Sequence, residues 1–314
     1  MKYKAIIFGI KGIKLSNKEK KILRKKPWGI ILFSRNIKNV SQLKLLIQSI
    51  KITAGDRNYP ILIDQEGGDV CRLNTLVDFS LFSQNLLGKI YKLNKKKFLH
   101  LYHLYINETC SILNKVGINI NTVPVLDIER KSTHKIIKSR SFGYAPSLVS
   151  KIGKLCISLY NKNRIATVMK HIPGHGLSKY DSHLKLPIVT TKKAELKKKD
   201  FKPFKECKTL FAMTAHIIYS AYDPFNTATH SRIVINKVIR KYMNFKGILI
   251  SDDISMKALK YNVFENATKA LDAGCNLVLH CNGNINEMNK LIKDIPNIDN
   301  FTQKITSDFK NFIG

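Results

Sequence analysis

Eight short apolar runs, most of them separated by segments with helical periodicity, constrain the fold of this 314-residue chain more than any other feature. Alternation of strands and helices is typical of α/β proteins with a parallel sheet. Eight such units fit a (β/α)8 barrel better than an open sheet. A doubly wound fold would place a Gly-x-Gly-x-x-Gly turn after an early strand, and the sequence has none. We therefore predict a single-domain (β/α)8 TIM-type barrel over residues 1–314.

The strand ends of such a barrel are where active-site side chains are expected, because its functional loops lie at the carboxyl face. The predicted strands are residues 3–8, 29–33, 60–63, 118–126, 165–169, 210–215, 247–251 and 276–280. Polar side chains at these ends are Asp64, Lys170, His171, His216 and Asp252, and Arg140 falls in the loop after the fourth strand. Between the strands, Ser16 predicts a capping box and a short helix, and Ser41 is expected to cap the next helix.

The most distinctive motif follows the fifth predicted strand, where positions 170–176 read KHIPGHG and positions 181–183 read DSH. Proline and glycine end regular structure, which predicts a loop from the strand end. Asp181 and His183 are two positions apart, so both side chains project to one side of an extended backbone. A carboxylate beside an imidazole suits a general acid/base, and Glu66 is the next candidate for that role. A Gly/Pro turn with solvated polar residues is the alternative interpretation.

Two further segments carry charges suited to a sugar. Positions 64–72 read DQEGGDVCR, and a carboxylate acceptor beside a guanidinium donor is common in carbohydrate recognition. Asp64 and Arg72 are also consistent with a glycine turn and a surface salt bridge. Asp252 ends the seventh strand, where a carboxylate suits a glycosidase nucleophile. A helix N-cap is the alternative, for which Asp253 is the better candidate.

Together these motifs resemble glycoside hydrolase family 3, and most closely its single-domain, NagZ-type β-N-acetylhexosaminidases of bacteria. The resemblance implies that Asp252 is the nucleophile and that Asp181 and His183 form the acid/base dyad. It also implies sugar-binding roles for Asp64, Arg72, Arg140, Lys170 and His171, and a position for His216 near the bound sugar. Asp69 departs from the family pattern, in which this position is an arginine. The segment 76–86, which lacks an expected proline-containing stretch, and the short C-terminal tail depart as well.

The activity implied by the resemblance is that of a retaining exo-β-N-acetylglucosaminidase. Its expected substrates are peptidoglycan fragments, namely N-acetylglucosaminyl-1,6-anhydro-N-acetylmuramic acid with or without peptide, cleaved in cell-wall recycling. A β-glucosidase or a β-glycoside phosphorylase of the same family is the alternative, since a histidine acid/base avoids charge repulsion with phosphate.

The formal net charge of +32 raises an alternative from another class, a basic nucleic-acid-binding protein on a barrel scaffold. The lysines, however, are spread over almost every predicted helix and accompany abundant isoleucine and asparagine. That joint enrichment is what an A+T-rich coding sequence produces. The sequence has no basic stripe interleaved with aromatic residues, so we expect no nucleic-acid partner.

The remaining features of the sequence bear on where the protein is located and on whether it binds a metal. No apolar run is long enough to span a membrane, and the N-terminal segment has no signal-peptide cleavage site. The six scattered cysteines are expected to be reduced thiols. Lys170, His171 and His175 lack the carboxylate or cysteine partners of a zinc site. We therefore expect a cytoplasmic, monomeric enzyme without a metal or another cofactor.

Overall fold

Eight parallel strands close into a barrel within residues 2–131, 133–178 and 186–314, the parts of the chain that the computed structural model describes, apart from the side chains at positions 135 and 136. This closure confirms the predicted (β/α)8 architecture. The strands of these segments are β1 (Lys4–Gly9), β2 (Pro27–Leu32), β3 (Ile61–Ile63), β4 (Ile120–Asn121), β5 (Ala166–Ile172), β6 (Ile188–Val189), β7 (Phe211–Thr214), β8 (Ile218–Tyr219), β9 (Ile248–Asp253) and β10 (Leu277–His280). The short strands β6 and β8 pair with each other outside the barrel, and the rest follow the order β1-β10-β9-β7-β5-β4-β3-β2.

Helices pack around this barrel and against one another. In the described segments they are α1 (Asn17–Leu23), α2 (Val40–Ala54), α3 (Gln84–Leu93), α4 (Lys95–Val116), α5 (Lys135–Arg140), α6 (Pro146–Lys162), α7 (Lys193–Lys198), α8 (Lys202–Glu206), α9 (Val263–Ala273), α10 (Ile285–Asp294) and α11 (Asn300–Ile313). A 3₁₀ turn covers Ser34–Asn36, and Val234–Tyr242 forms a π-helix.

Strands β2 and β5 show why these sequences form barrel walls. Every residue of both strands is buried. A parallel strand is covered by the barrel interior on one face and by helices on the other, so its sequence is almost continuously apolar. In β5 the exceptions are Thr167, Lys170 and His171, which are all buried. Their polar atoms therefore need partners inside the protein.

The last helix closes the amino end of the barrel. Trp28, at the start of β2, donates a hydrogen bond from Nε1 to Thr306 Oγ1 of α11 over 2.8 Å. The rings of Trp28 and Phe309 both lie with their centroids 5.5 Å from the ring of Phe211, at the start of β7. Because this apolar plug fills the amino end, the opposite end is left for a binding site.

Two predicted helix starts had different outcomes. The capping box at Ser16 is confirmed, since Ser16 Oγ accepts from Glu19 N at 3.2 Å and Ser16 N donates to Glu19 Oε2 at 2.7 Å. The prediction that Ser41 caps α2 was wrong. Asn39 is the N-cap, and its Oδ1 accepts from Gln42 N at 2.8 Å. Both residue types are good caps, so the sequence alone did not separate them.

The predicted strand bounds were wrong around the site. The fourth strand was expected over 118–126, but β4 is Ile120–Asn121, and Pro124, which has no N–H, interrupts the ladder beyond it. The fifth strand was expected to end at 169 with a loop beginning at Lys170. It continues to Ile172, so Lys170 and His171 belong to the barrel wall. Arg140 was expected in an open loop and instead ends the short helix α5.

Candidate active site

A cavity of about 200 Å³ lies at the carboxyl ends of the barrel strands. The described side chains that line it include most of the candidates from the sequence: Asp64, Arg72, Arg140, Lys170, His171 and Asp252. These residues are spread over almost 190 positions of the chain and are brought together because they follow or end different strands. The rest of the wall is largely apolar, with Phe33, Met213 and Met256 among its members.

We call the charged and polar residues Asp64, Arg72, Arg140, Lys170 and His171 the polar wall of the cavity. Asp64 is the hydrogen-bond acceptor at its centre. Its Oδ2 accepts from Arg72 Nη2 at 2.8 Å, and its Oδ1 accepts from Thr122 Oγ1 at 2.7 Å and from Lys170 Nζ. Burial alone would raise the pKa of Asp64, but the charges of Lys170, Arg72 and Arg140 outweigh it and hold the pKa well below its usual range. Asp64 therefore stays ionised and can accept further hydrogen bonds from hydroxyl groups.

Glu66 lies behind two of the cations, and we did not predict it as a binding residue. Its side chain is fully buried, and its two oxygens each accept from Arg140, at 2.8 Å from Nε and 2.8 Å from Nη2. Lys170 Nζ lies 2.6 Å from Glu66 Oε1. A carboxylate held by a bidentate arginine and a lysine is committed to its partners, which argues against Glu66 as a mobile proton donor. The feature of the sequence that could have identified Glu66 is its position two residues after Asp64.

Asp127 holds the histidine of the wall. Its Oδ2 lies 2.7 Å from His171 Nδ1, and its Oδ1 accepts from the backbone N–H of His175 at 2.6 Å. Burial would raise the pKa of Asp127, but the contacts with His171 and His175 bring it below its usual value. Arg140 Nη2 lies 3.4 Å from His171 Nε2. We predicted no role for Asp127 from the sequence, although it also follows a predicted strand.

His175 lines the cavity next to His171, and their ring centroids lie 5.5 Å apart. Burial is the main cause that lowers the pKa of His175 to about 4. His175 is therefore neutral at physiological pH. It came from the same KHIPGHG motif as His171, but no role was predicted for it.

Asp252 and Asp253 end β9 with different surroundings. Asp252 lines the cavity, and its Oδ1 accepts from Asp253 N at 2.8 Å. Asp253 also lines the cavity, but its carboxylate accepts from Ser255 N at 3.0 Å and, across from the end of β10, from Cys281 N at 3.2 Å. Asp253 is not a helix N-cap as predicted, because the N-cap of the next helix, α9, is Asn262. Because backbone donors hold the Asp253 carboxylate, Asp252 is the better candidate for contact with a ligand in the cavity.

His216 does not reach the cavity wall. It is buried, with Nδ1 2.7 Å from Thr229 Oγ1 and Nε2 3.0 Å from the carbonyl oxygen of Asp253. Burial lowers the pKa of His216. The structure therefore places His216 behind the end of β9, where it supports the strand that carries Asp252.

The dyad predicted at Asp181 and His183 lies outside the described residues. The described start of the same loop is fixed at the carboxyl end of the barrel. Thr133 Oγ1 donates to the carbonyl oxygen of Gly176 at 2.5 Å, and Tyr219 Oη donates to that of Gly174. A Cβ atom at position 176 would collide with the carbonyl of Ile128, so this close backbone approach requires glycine.

The described segments contain neither a candidate metal site nor a membrane-spanning helix. No group of three histidine, cysteine, aspartate or glutamate side chains there is placed to hold a metal ion. No helix there combines the length and the apolar character needed to cross a bilayer. All six cysteines are free thiols, and Cys281 is a partly exposed member of the cavity wall.

Fold and sequence together define this protein as a glycoside hydrolase, because known glycoside hydrolases are similar to it in both. The profile described as "Glycosyl hydrolase family 3 N terminal domain" matches residues 4–310. A β-hexosaminidase of Nitrosospira multiformis is 32% identical over 286 residues, which cover 88% of this chain and 80% of that protein. The chain therefore belongs to glycosyl hydrolase family 3.

Solved structures agree with the sequence comparison. NagZ from Neisseria gonorrhoeae in complex with N-trifluoroacetyl-D-glucosamine superposes with a TM-score of 0.86 and 28% identity, covering 99% of this chain and 90% of that chain. A family 3 β-N-acetylglucosaminidase from Paenibacillus sp. gives a TM-score of 0.85 and 26% identity, covering 98% of this chain and 61% of that longer chain.

Proposed function

We propose that this protein is a retaining exo-β-N-acetylglucosaminidase that removes terminal N-acetylglucosamine from peptidoglycan fragments. The observation that carries the proposal is one small cavity that joins the Asp252 carboxylate to a wall of hydrogen-bonding charges. Such a wall suits the hydroxyl groups of a sugar, and a small cavity suits the terminal sugar of a chain better than its interior. The names of its relatives favour an N-acetylated amino sugar, since one is called a β-hexosaminidase and another was solved with N-trifluoroacetyl-D-glucosamine.

In the proposed reaction, an Asp252 oxygen attacks the anomeric carbon and forms an ester bond to the sugar as the glycosidic bond breaks. His183, oriented by Asp181, gives its proton to the leaving oxygen. It then takes a proton from water, which attacks the same carbon and releases Asp252. Two displacements at one carbon retain the β configuration. A histidine acid/base differs from the second carboxylic acid that most retaining glycosidases use.

The polar wall holds the sugar in this proposal. Asp64 accepts hydrogen bonds from hydroxyl groups, and Arg72, Arg140 and Lys170 donate to sugar oxygens. Their mutual ion pairs fix these side chains before substrate arrives, which reduces the entropy cost of binding. His171 completes the wall beside Arg140.

We also propose the cellular location, the oligomeric state and the substrates that the sequence resemblance implied. The protein acts as a cytoplasmic monomer, and the fragments it cleaves consist of N-acetylglucosamine linked to 1,6-anhydro-N-acetylmuramic acid, with or without peptide. No metal or organic cofactor takes part. The distributed lysines do not serve a nucleic-acid partner.

The direct test compares the 4-nitrophenyl glycosides of N-acetyl-β-glucosamine and β-glucose, each with and without phosphate. We expect a far higher kcat/KM for the N-acetylated sugar, no gain with phosphate, and a β-configured first product by NMR. Faster release from the β-glucoside would make the protein a β-glucosidase. Formation of a sugar 1-phosphate would make it a phosphorylase, and an α-configured first product would rule out the covalent intermediate.

A further inference from the structure

Asp127 is fully buried and touches the cavity only through its partners. One of its oxygens, Oδ1, accepts from two backbone N–H groups, those of His171 at 3.3 Å and His175 at 2.6 Å. The other, Oδ2, lies 2.7 Å from His171 Nδ1. Because the first oxygen is held by two backbone donors, the carboxylate cannot rotate away from the imidazole.

One ring nitrogen of His171 therefore faces a group that can only accept a hydrogen bond, and the other faces a group that can only donate one. An ionised carboxylate only accepts, so the nitrogen facing Asp127 must carry a hydrogen. A guanidinium only donates, and Arg140 Nη2 lies 3.4 Å from His171 Nε2. A hydrogen on Nε2 would point at another N–H, so this nitrogen is left bare. Two independent partners thus demand the same tautomer.

We propose that Asp127 is a positioning residue that fixes His171 as the Nδ1–H tautomer, so that the lone pair of Nε2, which Arg140 approaches only to 3.4 Å, accepts a hydrogen bond from a hydroxyl of the bound sugar. This deepens the proposed function and rests on it for the identity of the ligand. Arg140 reinforces the assignment, since Glu66 holds its guanidinium in place from the other side with two hydrogen bonds of 2.8 Å.

The same carboxylate ties the sugar-binding wall to the loop that follows β5. The N–H of His175 belongs to the turn after Pro173, whose carbonyl oxygens at Gly174 and Gly176 are bound by Tyr219 and Thr133. Asp127 is therefore one of three anchors at the start of the loop in which the resemblance places the dyad. The other two anchors do not contact His171, so a change at Asp127 can be separated from a general loosening of the loop.

The informative substitution is Asp127→Asn, which keeps the shape and changes the direction of one hydrogen bond. The two backbone N–H groups retain the amide oxygen, so the amide nitrogen must face His171 Nδ1. An amide nitrogen only donates, and Nδ1 must then give up its hydrogen and become the acceptor. The hydrogen moves to Nε2, where it faces Arg140 and can no longer accept from a sugar.

The first measurement is the tautomer of His171 in the free wild-type protein, by ¹H–¹⁵N correlation of ¹⁵N-histidine, with His171→Gln used to assign the signal. We expect a hydrogen on Nδ1 and a bare Nε2, and the reverse in Asp127→Asn. A hydrogen on Nε2 in the wild type overturns the proposal, whether or not Asp127→Asn folds. An unchanged tautomer in a folded Asp127→Asn protein overturns it as well.

The second measurement is kcat/KM on the N-acetyl-β-glucosaminide. Asp127→Asn should lower it by about 10- to 100-fold, the range found when the outer hydrogen-bond partner of a metal-binding histidine is lost. In a His171→Gln background the same change should add nothing, because Asp127 acts through His171. A further loss there would show a merely structural role. Asp56→Asn, which removes a carboxylate at the other end of the barrel, should leave kcat/KM unchanged.

The two readouts separate this proposal from the proposed function. The tautomer is read in the free protein and needs no turnover. If the wild type shows the expected tautomer but cleaves no glycoside, the proposed function fails and the role of Asp127 stands. If it cleaves the glycoside but His171 carries its hydrogen on Nε2, the role of Asp127 fails alone.

Discussion

The two ends of the barrel both contain carboxylates bound to cations, and the cluster at the carboxyl end lines the cavity of the candidate active site. At the amino end, Asp56 accepts from Tyr3 Oη at 2.5 Å and from Lys310 Nζ at 2.7 Å, and this cluster ties the first strand to α11. At the carboxyl end, Asp64 and Glu66 share three cations that line the cavity. The first cluster connects the N-terminal segment to the last helix, whereas the second lies in the wall of a cavity.

This difference supports the proposal that the carboxyl-end cluster binds a substrate. Burying charges is costly, and well-packed apolar residues often serve stability as well or better. The amino end follows that rule, since most of its packing comes from Trp28, Phe211 and Phe309. The carboxyl end keeps five charged side chains in contact with one another beside a cavity. Their cost in stability is explained if the wall binds a polar substrate.

The largest expected effect concerns Asp252 at the carboxyl end. Asp252→Asn should lower kcat on the nitrophenyl N-acetyl-β-glucosaminide by about 10⁴-fold, or about 5 kcal/mol of barrier, because the nucleophile is lost. The thermal midpoint should change little, since the amide can still accept from Asp253 N. Asp56→Asn is the matched change at the amino end and should keep its kcat. A rate above about a tenth of wild type for Asp252→Asn would contradict the assignment.

The next effect compares the stability of the two clusters. Glu66→Gln leaves Arg140 without its bidentate carboxylate and removes one of the two carboxylates that pair with Lys170, so it should lower the free energy of unfolding by about 3–5 kcal/mol. Asp56→Asn, in a half-exposed cluster, should cost about 1 kcal/mol. Urea unfolding of both variants at pH 7 measures the difference. Equal losses would mean that the carboxyl-end cluster is no more strongly coupled than the amino-end one.

The smallest effect concerns a third carboxylate, Asp200. Among the described residues neither of its oxygens has a hydrogen-bond partner, and Arg130 Nη2 lies 3.9 Å away. Burial raises the pKa of Asp200 to about 6, above the value of about 3.9 expected in the unfolded chain. Its contribution to stability is therefore present below pH 4 and is lost as the pH rises through about 6. Asp200→Asn should gain about 1–2 kcal/mol relative to wild type between pH 4.5 and 7.5.

Asp223→Asn is the control for this pH dependence. Asp223 is also buried, but it accepts from Ser231 Oγ at 2.6 Å and from Phe225 N at 3.0 Å, and despite burial these bonds lower its pKa. Its contribution is present above pH 4 and is lost on further acidification, so the opposite sign is expected. Denaturant unfolding between pH 3.5 and 7.5 measures both variants. A gain for Asp200→Asn that does not depend on pH would show that ionisation of Asp200 is not its cause.

The barrel and most of its charged cavity could be predicted from the sequence. Apolar runs locate strands even when their ends are misjudged, and strand ends of a barrel meet at one face. This rule placed Asp64, Lys170, His171 and Asp252 together. It did so although the fourth strand was predicted too long and the fifth too short. The same rule failed for His216, which also follows a strand but turns away from the cavity to Thr229.

The side chains behind the wall could not be found in this way. Glu66 and Asp127 have no distinctive spacing, and their importance comes from contacts with residues 74 and 44 positions away. Only the folded chain shows that Glu66 holds Arg140 and that Asp127 holds His171. A sequence pattern reports which face a residue occupies, whereas the partners across a barrel are set by the closure of the whole sheet.

The central claim is a covalent sugar on Asp252, and its most direct test is to trap that species. Without its acid/base, a His183→Ala variant should still release nitrophenolate, which needs little protonation to leave, but should be slow to activate water. Peptide mass spectrometry after mixing this variant with the nitrophenyl N-acetyl-β-glucosaminide should find one N-acetylglucosaminyl group on the peptide that carries Asp252. Nitrophenolate release without any adduct, or an adduct on another residue, would contradict the account.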